Sequence, residues 1–215
     1  MSLIEQAPRI ETRRLVLRAP RAGDIETIAA LADDFDIARM TTGMPHPYRR
    51  SDAEAFVARA QTLDPAREAV FVIEREADGA VGVLGLHSHG SPASLPPRLD
   101  ASKRDETAPV QNVGALPDRQ TAPALARRAL GPEIGYWIGR PFWGQGIAGE
   151  AACAAMAWAR RDWRRRAAVA GYFADNPASG RVLERAGFLH TGEIQQRFSL
   201  ARGEAAPTRM MVWLA

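Results

Sequence analysis

Apolar and polar positions along this chain follow two periods. Where they alternate one by one, a strand is expected; where apolar residues recur every three or four positions, a helix is expected. Arg14-Leu15-Val16-Leu17-Arg18 has the first pattern, with Leu15 and Leu17 on one side and Arg14 and Arg18 on the other. Gly23-Asp24 opens the second, with Asp24 placed to cap a helix that carries Ile28, Leu31 and Ala32 on one face. Ser51-Asp52-Ala53-Glu54 has the spacing of a capping box, and Ala55, Phe56 and Ala58 continue a second helix. The apolar runs at 70–76 and 80–86 flank Asp78-Gly79, a strong hairpin signal.

From 88 to 131 the texture changes. The stretch holds six prolines, many polar residues and few large apolar ones. Loops longer than about 12–15 residues are uncommon in compact domains unless functional or disordered. It reads as a flexible insertion with one helical turn at 124–130, and a lid over a substrate is the alternative reading. Periodicity then resumes. Glu133-Ile134-Gly135-Tyr136-Trp137-Ile138 is a predicted strand, and Phe142-Trp143-Gly144-Gln145-Gly146 a turn. A long helix is predicted over Ile147–Arg161, with Ala148, Ala152, Ala155, Met156 and Ala159 as its buried stripe. A strand at Ala167–Phe173, a helix at Pro177–Arg185 stopped by Gly187, and strands at 188–194 and 208–214 complete the chain. The order β α α β β, insertion, β α β α β β points to a single α/β (α+β) domain over 1–215.

Composition narrows the class. The chain has 215 residues, 46% hydrophobic and 25% charged, the balance of an ordinary globular protein. A single cysteine, Cys153, excludes an internal disulfide framework and a multi-cysteine metal knuckle. Inside an alanine-rich helix it reads as a packed small side chain. No apolar run approaches the roughly 20 residues of a membrane helix, and the first residues do not have the pattern of a secretory signal. A cytoplasmic protein without membrane contact is expected. The net charge of +3 weakly favours anionic ligands and gives no argument for nucleic acid. His87 and His89 alternate on a strand, but with no third ligand in view they read as strand-end residues, so no metal is expected. Arg160, Arg161, Arg164, Arg165 and Arg166 crowd the end of a helix, where cations offset its dipole. Trp158 and Trp163 read as packing groups.

The chemistry concentrates in Trp143-Gly144-Gln145-Gly146-Ile147-Ala148-Gly149-Glu150, which leaves a strand and enters a helix. Glycines let main-chain amides approach a ligand, and consecutive amides at a helix start hold anions with help from the helix dipole. A phosphate or pyrophosphate is the natural guest; a tight turn needed only for packing is the alternative. Gly144, Gly146 and Gly149 also satisfy G-x-G-x-x-G, the dinucleotide fingerprint. That reading wants an acidic residue ending the next strand, about 20 residues on. Asp175 stands 26 residues past Gly149, and Asp162 precedes the strand.

Several separated motifs, in order, make the chain resemble the GNAT N-acetyltransferases, and more closely their RimJ/RimL-type branch. They are Thr12-Arg13-Arg14-Leu15-Val16-Leu17-Arg18, then Pro45-His46-Pro47-Tyr48 with Asp52-Ala53-Glu54-Ala55-Phe56, and Glu133 to Ile138 followed by Phe142 to Ala151. Asn176-Pro177-Ala178-Ser179 and Arg185-Ala186-Gly187-Phe188 close the set. The likeness spans nearly everything outside 88–131. It implies a mixed central sheet of about six to seven strands flanked by about four helices. It also implies acetyl-CoA as co-substrate, no metal, and a primary amine as acceptor, either a protein or peptide N-terminus or a small amino compound. In the family signature R/Q-x-x-G-x-G/A, Trp143 stands where Arg or Gln is usual. By resemblance, main-chain amides of Gly144, Gln145, Gly146, Ile147, Ala148 and Gly149 hold the coenzyme pyrophosphate. The end of the strand at Ile138 pairs with the pantetheine arm, and Asn176 bonds that arm.

Acetyl transfer needs a neutral amine, a polarised thioester and a stabilised leaving thiolate. An α-amino group has a pKa near 8 and lysine near 10.4, so a base is useful at neutral pH. Glu133, at the start of the strand beside the loop, is the candidate; a solvated strand-end glutamate is the other reading. A main-chain amide near Ile138 is expected to polarise the carbonyl. Many family members place a tyrosine seven residues after the asparagine as general acid; that position here is Leu183. Ser179 is the remaining donor, with helix capping as its alternative role. His46 lies in the loop beside the expected acceptor cleft. A catalytically degenerate acyl-CoA-binding module and a dinucleotide-binding enzyme are the rival functions. Oligomeric state is left open by the sequence, a homodimer included.

Overall fold

The computed structural model describes residues 8–88 and 131–215. Apart from Ser88 and Gly131, the expected insertion at 88–131 and its helical turn lie outside the described residues. Among them, eight strands form one sheet: β1 (Ile10–Glu11), β2 (Leu15–Arg18), β3 (Ala69–Arg75), β4 (Gly79–His87), β5 (Glu133–Ile138), β6 (Ala167–Phe173), β7 (Leu189–Ser199) and β8 (Glu204–Leu214). Five α-helices accompany them: α1 (Ile25–Ala32), α2 (Phe35–Ala38), α3 (Arg50–Ala60), α4 (Ile147–Arg161) and α5 (Pro177–Arg185). The sheet therefore has one or two strands more than expected, and there is one more helix. The additions β1 and α2 are two and four residues long, too short to carry a period.

The strands lie in the order β1-β2-β3-β4-β5-β6-β8-β7. Every neighbouring pair is antiparallel except β5 and β6. A dinucleotide-binding fold needs a doubly wound parallel sheet, so this topology removes that reading.

The sheet separates two cores. On one face α4 and α5 bury Ile147, Ala151, Ala152, Met156 and Leu183 against Leu84, Leu86 and Ile134. The alanine stripe of α4 packs as its spacing predicts, although Ala148 is only partly buried. On the other face Ile28, Ala53 and Val57 of α1 and α3 meet Val70, Val72 and Val83. Trp158 and Trp163 stack with centroids 5.3 Å apart, and the Trp163 indole donates to the Pro65 carbonyl at 3.0 Å. Cys153 is exposed rather than packed, its thiol 3.4 Å from the Arg185 carbonyl.

Three local expectations change. The hairpin between β3 and β4 pairs Arg75 with Gly79, so Gly79, with φ +73°, closes a three-residue loop. The helix expected to be capped by Ser51 starts two residues early: Arg49 is the N-cap, its N–H is taken by Asp52 at 2.8 Å, and Glu54 pairs with Arg50. Asp24 makes no side-chain cap to α1. Its carboxylate instead accepts from both ends of the Arg18 guanidinium, at 2.8 and 2.7 Å, and from the Arg21 N–H at 2.8 Å. Glu74 takes the Arg18 Nε at 2.5 Å, so Arg18 is buried where alternation placed it in solvent. Burial alone would raise the Asp24 pKa, but the Arg18 and Arg21 hydrogen bonds outweigh it and hold it below the usual carboxylate value. Breaking a buried ion pair from one side costs about 3 kcal/mol or more, so Asp24→Ala is expected to lose that much in urea unfolding at neutral pH. The loss shrinks in acid, as the wild-type carboxylate is protonated on passing down through its folded pKa.

Candidate active site

The parallel pairing of β5 and β6 covers only Glu133 with Val169 and Ile134 with Ala170. Beyond those pairs the strands part. The Gly139 N–H bonds the Val81 carbonyl at 2.9 Å, which sets the antiparallel register of β5 on β4. By alternation Gly135 and Trp137 bond β4, while the main-chain groups of Tyr136 and Ile138 point towards β6. The Ala174 N–H on the Pro207 carbonyl, at 2.8 Å, sets the same alternation on β8 and turns Gly171 and Phe173 towards β5. A wedge opens between two strand edges that face each other without bonding. Gly135 and Gly171 keep its floor low. A Cβ on Gly171 would stand 2.9 Å from Thr208 Cγ2 and 3.3 Å from Arg197 Nη1. The cleft that includes the wedge encloses about 610 Å³ of atom-free space, part of it open to solvent.

At the Ile138 end the wedge meets the glycine turn. Gly144 and Gly146 both have φ +74°, and Gly146 is the N-cap of α4. No side chain caps this helix, and the first main-chain bond into its N-terminus is from the Glu150 N–H to the Gly146 carbonyl. The amides of Ile147, Ala148 and Gly149 therefore face outward as donors, with the helix dipole behind them. Trp143 does not act as a charge. Its indole N–H pegs the Ile138 carbonyl at 2.6 Å, and Arg140 lies over its ring at 5.0 Å. The Ile138 N–H remains directed into the wedge.

A brace the sequence did not reveal sits behind the turn. Glu150 accepts from the Thr12 hydroxyl at 2.6 Å, the Arg14 N–H at 3.1 Å and Arg14 Nε at 2.7 Å. Arg14 Nη1 then holds the Gln145 carbonyl at 3.1 Å, and Arg75 holds the Gln145 side chain at 2.6 Å. Burial alone would push the Glu150 carboxyl up, but the Thr12 and Arg14 hydrogen bonds outweigh it and keep it ionised.

Of the expected site residues, Glu133 lies at the closed end, Ser179 lines the same cleft beside Tyr136, and Asn176 stands past the end of β6, on the open side. Both Glu133 oxygens are forked by Arg197 of β7, one of them at 3.3 Å. Asn176 is the N-cap of α5, its Oδ1 accepting from the Ser179 N–H at 3.2 Å, which leaves its amide hydrogens for another partner. The Ser179 hydroxyl lies 2.9 Å from the Tyr136 hydroxyl. Leu183 is fully buried. The missed residue is Tyr136: it stood in the quoted strand motif, but its partner is 43 residues away. His46 pairs with Asp33 at 3.5 Å and packs edge-on against Phe35 at 5.5 Å, away from the cleft lining. The turn Met40–Thr42 covers the cleft from α2, and the β7–β8 tip leans on it through the Leu200 N–H to the Thr42 carbonyl at 3.1 Å. Arg202 ties that tip to Asp175, next to Asn176, at 2.9 Å.

His87 ends β4 directly opposite Glu133. Burial pushes its pKa below the ordinary value, the Glu68 carboxylate opposing this in part, and its Nδ1 finds no partner among the described residues. The described residues show no cluster of three or more metal-ligating side chains, and none of their helices is long and apolar enough to cross a membrane.

Residues 14–189 match the family model described as an acetyltransferase (GNAT) domain, and the chain belongs to that family. The fold is shared with solved structures. One is RimL, the ribosomal L7/L12 alpha-N-protein acetyltransferase in complex with coenzyme A, with TM-score 0.68, 17% identity, and 96% of this chain and 98% of that chain covered. A second is the microcin C7 self-immunity acetyltransferase MccE with acetyl-CoA and AMP, with TM-score 0.66, 14% identity and coverage of 95% and 94%. A third is spermidine N-acetyltransferase from Vibrio cholerae with CoA and spermine, with TM-score 0.65, 16% identity and coverage of 94% and 96%. The comparison with curated proteins gave no match.

Two outcomes follow from this geometry. Glu150→Ala frees Arg14 and the Gln145 carbonyl, so coenzyme A affinity should fall about tenfold by calorimetry, with the far-ultraviolet circular dichroism spectrum unchanged. His87 has a folded pKa below its unfolded value of about 6.5, so the unfolded state binds the extra proton and stability declines as pH falls below about 6.5. His87→Gln should flatten that decline in urea unfolding between about pH 7.5 and pH 5.5.

Proposed function

We propose that this chain is an N-acetyltransferase of the RimJ/RimL type. It moves the acetyl group of acetyl-CoA to a primary amine, on a protein or peptide N-terminus or on a small amino compound, by direct attack on the thioester. The observation that carries the reading is the wedge between β5 and β6 running into the glycine turn. One end offers unpaired main-chain donors and acceptors for an amide-bearing arm, and the other offers helix-start amides for a diphosphate. Neither end needs a metal.

In this reading the amides of Gly144 to Gly149 take the pyrophosphate and the exposed edge at Tyr136 and Ile138 takes the pantetheine arm. The free amide hydrogens of Asn176 add a further bond to that arm. A main-chain amide of that edge faces the thioester carbonyl, whose oxygen gains charge as the amine attacks. Glu133 receives the proton that the amine sheds, directly or through one water. A carboxylate has about four lone-pair sites, so the Arg197 fork leaves room for this bond. The thiol of the coenzyme, with a pKa near 8.5, departs readily as thiolate and needs only a hydrogen bond from Ser179. The acetyltransferase domain spans 1–215 and acts in the cytoplasm.

Calorimetry with coenzyme A and thiol release from acetyl-CoA over a panel of amines test this directly. Micromolar binding and amine-dependent release are expected; indifference to the coenzyme rejects the reading. Gly146 makes a sharper control. A Cβ there would meet only Arg14 Nη2, at 3.6 Å, so the obstacle is its φ of +74°. Left-handed backbone costs a β-branched residue about 1–2 kcal/mol, so Gly146→Val should weaken binding about tenfold, whereas Gly146→Asn, which tolerates that conformation, should lose less.

A further inference from the structure

We infer that Tyr136 is a working part of the transfer site: its phenol backs the Ser179 hydroxyl and frees the serine hydrogen for the departing sulphur. The inference rests on the reading of Ser179 given above.

The position seven residues after Asn176 is Leu183, which is apolar and 1% exposed, so it offers no hydrogen bond. One turn earlier on the same face of α5 stands Ser179. A phenol reaches that spot from the strand instead of the helix. The Tyr136 oxygen lies 2.9 Å from Ser179 Oγ and 3.1 Å from the Ser179 carbonyl, and Tyr136, Ser179 and Leu183 line one cleft. Ser179 cannot drift from this contact, because its N–H is held by Asn176.

Two hydroxyl hydrogens serve this pair. If the phenol donates to the Ser179 carbonyl, the serine hydrogen turns back onto the phenol oxygen. If the phenol donates to Ser179 Oγ, the serine hydrogen is released into the cleft. Negative charge developing in the cleft favours the second arrangement, because hydrogen bonds to charged acceptors are the stronger ones. Burial pushes the Tyr136 pKa up to about 12, so the phenol stays a donor wherever the amine is reactive. In the step itself the amine lone pair forms the C–N bond, the C–S bond breaks, and its electron pair goes to sulphur. The thiolate leaves hydrogen-bonded to Ser179 and takes its proton from solvent afterwards; Tyr136 and Ser179 both keep theirs.

The test compares Tyr136→Phe, Ser179→Ala and the double variant in steady-state kinetics, with coenzyme A affinity from calorimetry. Each single change should lower kcat about tenfold with affinity held within about twofold, and the double should be no worse than Ser179→Ala alone. A fluorinated tyrosine at 136, more acidic but nearly isosteric, should bring an alkaline fall of kcat below about pH 10 that the natural chain lacks. If Ser179→Ala slows turnover and Tyr136→Phe does not, the role of Tyr136 is wrong and that of Ser179 stands. If neither slows it, the reading of Ser179 fails first. Additive losses, or a matching loss of coenzyme affinity in Tyr136→Phe, would make Tyr136 a packing residue and overturn the inference.

Discussion

Strands β5 and β6 run side by side for two residue pairs and then separate, leaving main-chain groups of Tyr136 and Gly171 and the N–H of Ile138 and Phe173 directed into a gap, while the Ile138 and Phe173 carbonyls are taken by Trp143 and Asn176. A buried amide without a partner costs about 1–3 kcal/mol, so folded chains seldom leave such groups facing a closed space. Here the space stays open to solvent on one side and is paved by glycines. Each remaining feature of the site is arranged around that gap. The glycine turn continues it at the open end, where Asn176 follows the facing strand, and Glu133 closes it at the other.

Precision at the turn comes from behind it. Left-handed glycines make the backbone permissive, and a permissive loop holds an anion well only when its geometry is fixed. Arg14, itself held by Glu150, and Arg75 supply that fixing by gripping the carbonyl and side chain of Gln145 rather than the ligand side of the turn. On the opposite wall, Arg202 and Asp175 join the β7–β8 tip to the Asn176 turn. The two halves of the cleft therefore share a joint beside Asn176.

Most of the scaffold was readable in the sequence because local rules decide it. The α4 stripe of alanines, the short apolar β6 and the Pro177 to Gly187 helix have the periods and stop signals that define such elements. Strands β7 and β8 run longer than expected because their outer halves pair with each other in the open, with Ile194 and Phe198 exposed, so no core-facing pattern marks them. The glycine turn was legible for the same reason as α4: it is a local motif. What lay beyond reach were pairs made by the fold. Arg197 and Glu133 are 64 residues apart, and Thr12 and Glu150 are 138 apart. Arg18 looked like a surface residue because alternation cannot foresee Asp24 and Glu74 closing over it.

An uncharged Trp143 at the head of the turn has a physicochemical consequence. The three guanidiniums nearest the turn already have anionic partners: Arg14 has Glu150, Arg75 has Asp78 and Arg140 has Asp34. An anion arriving at the turn meets oriented dipoles more than unspent formal charge. Contacts made within a partly enclosed site are screened less by dissolved ions than exposed, separated charges are. On the proposed reading, the affinity of this acetyltransferase domain for its donor should fall less steeply with salt than that of a site built on free guanidiniums.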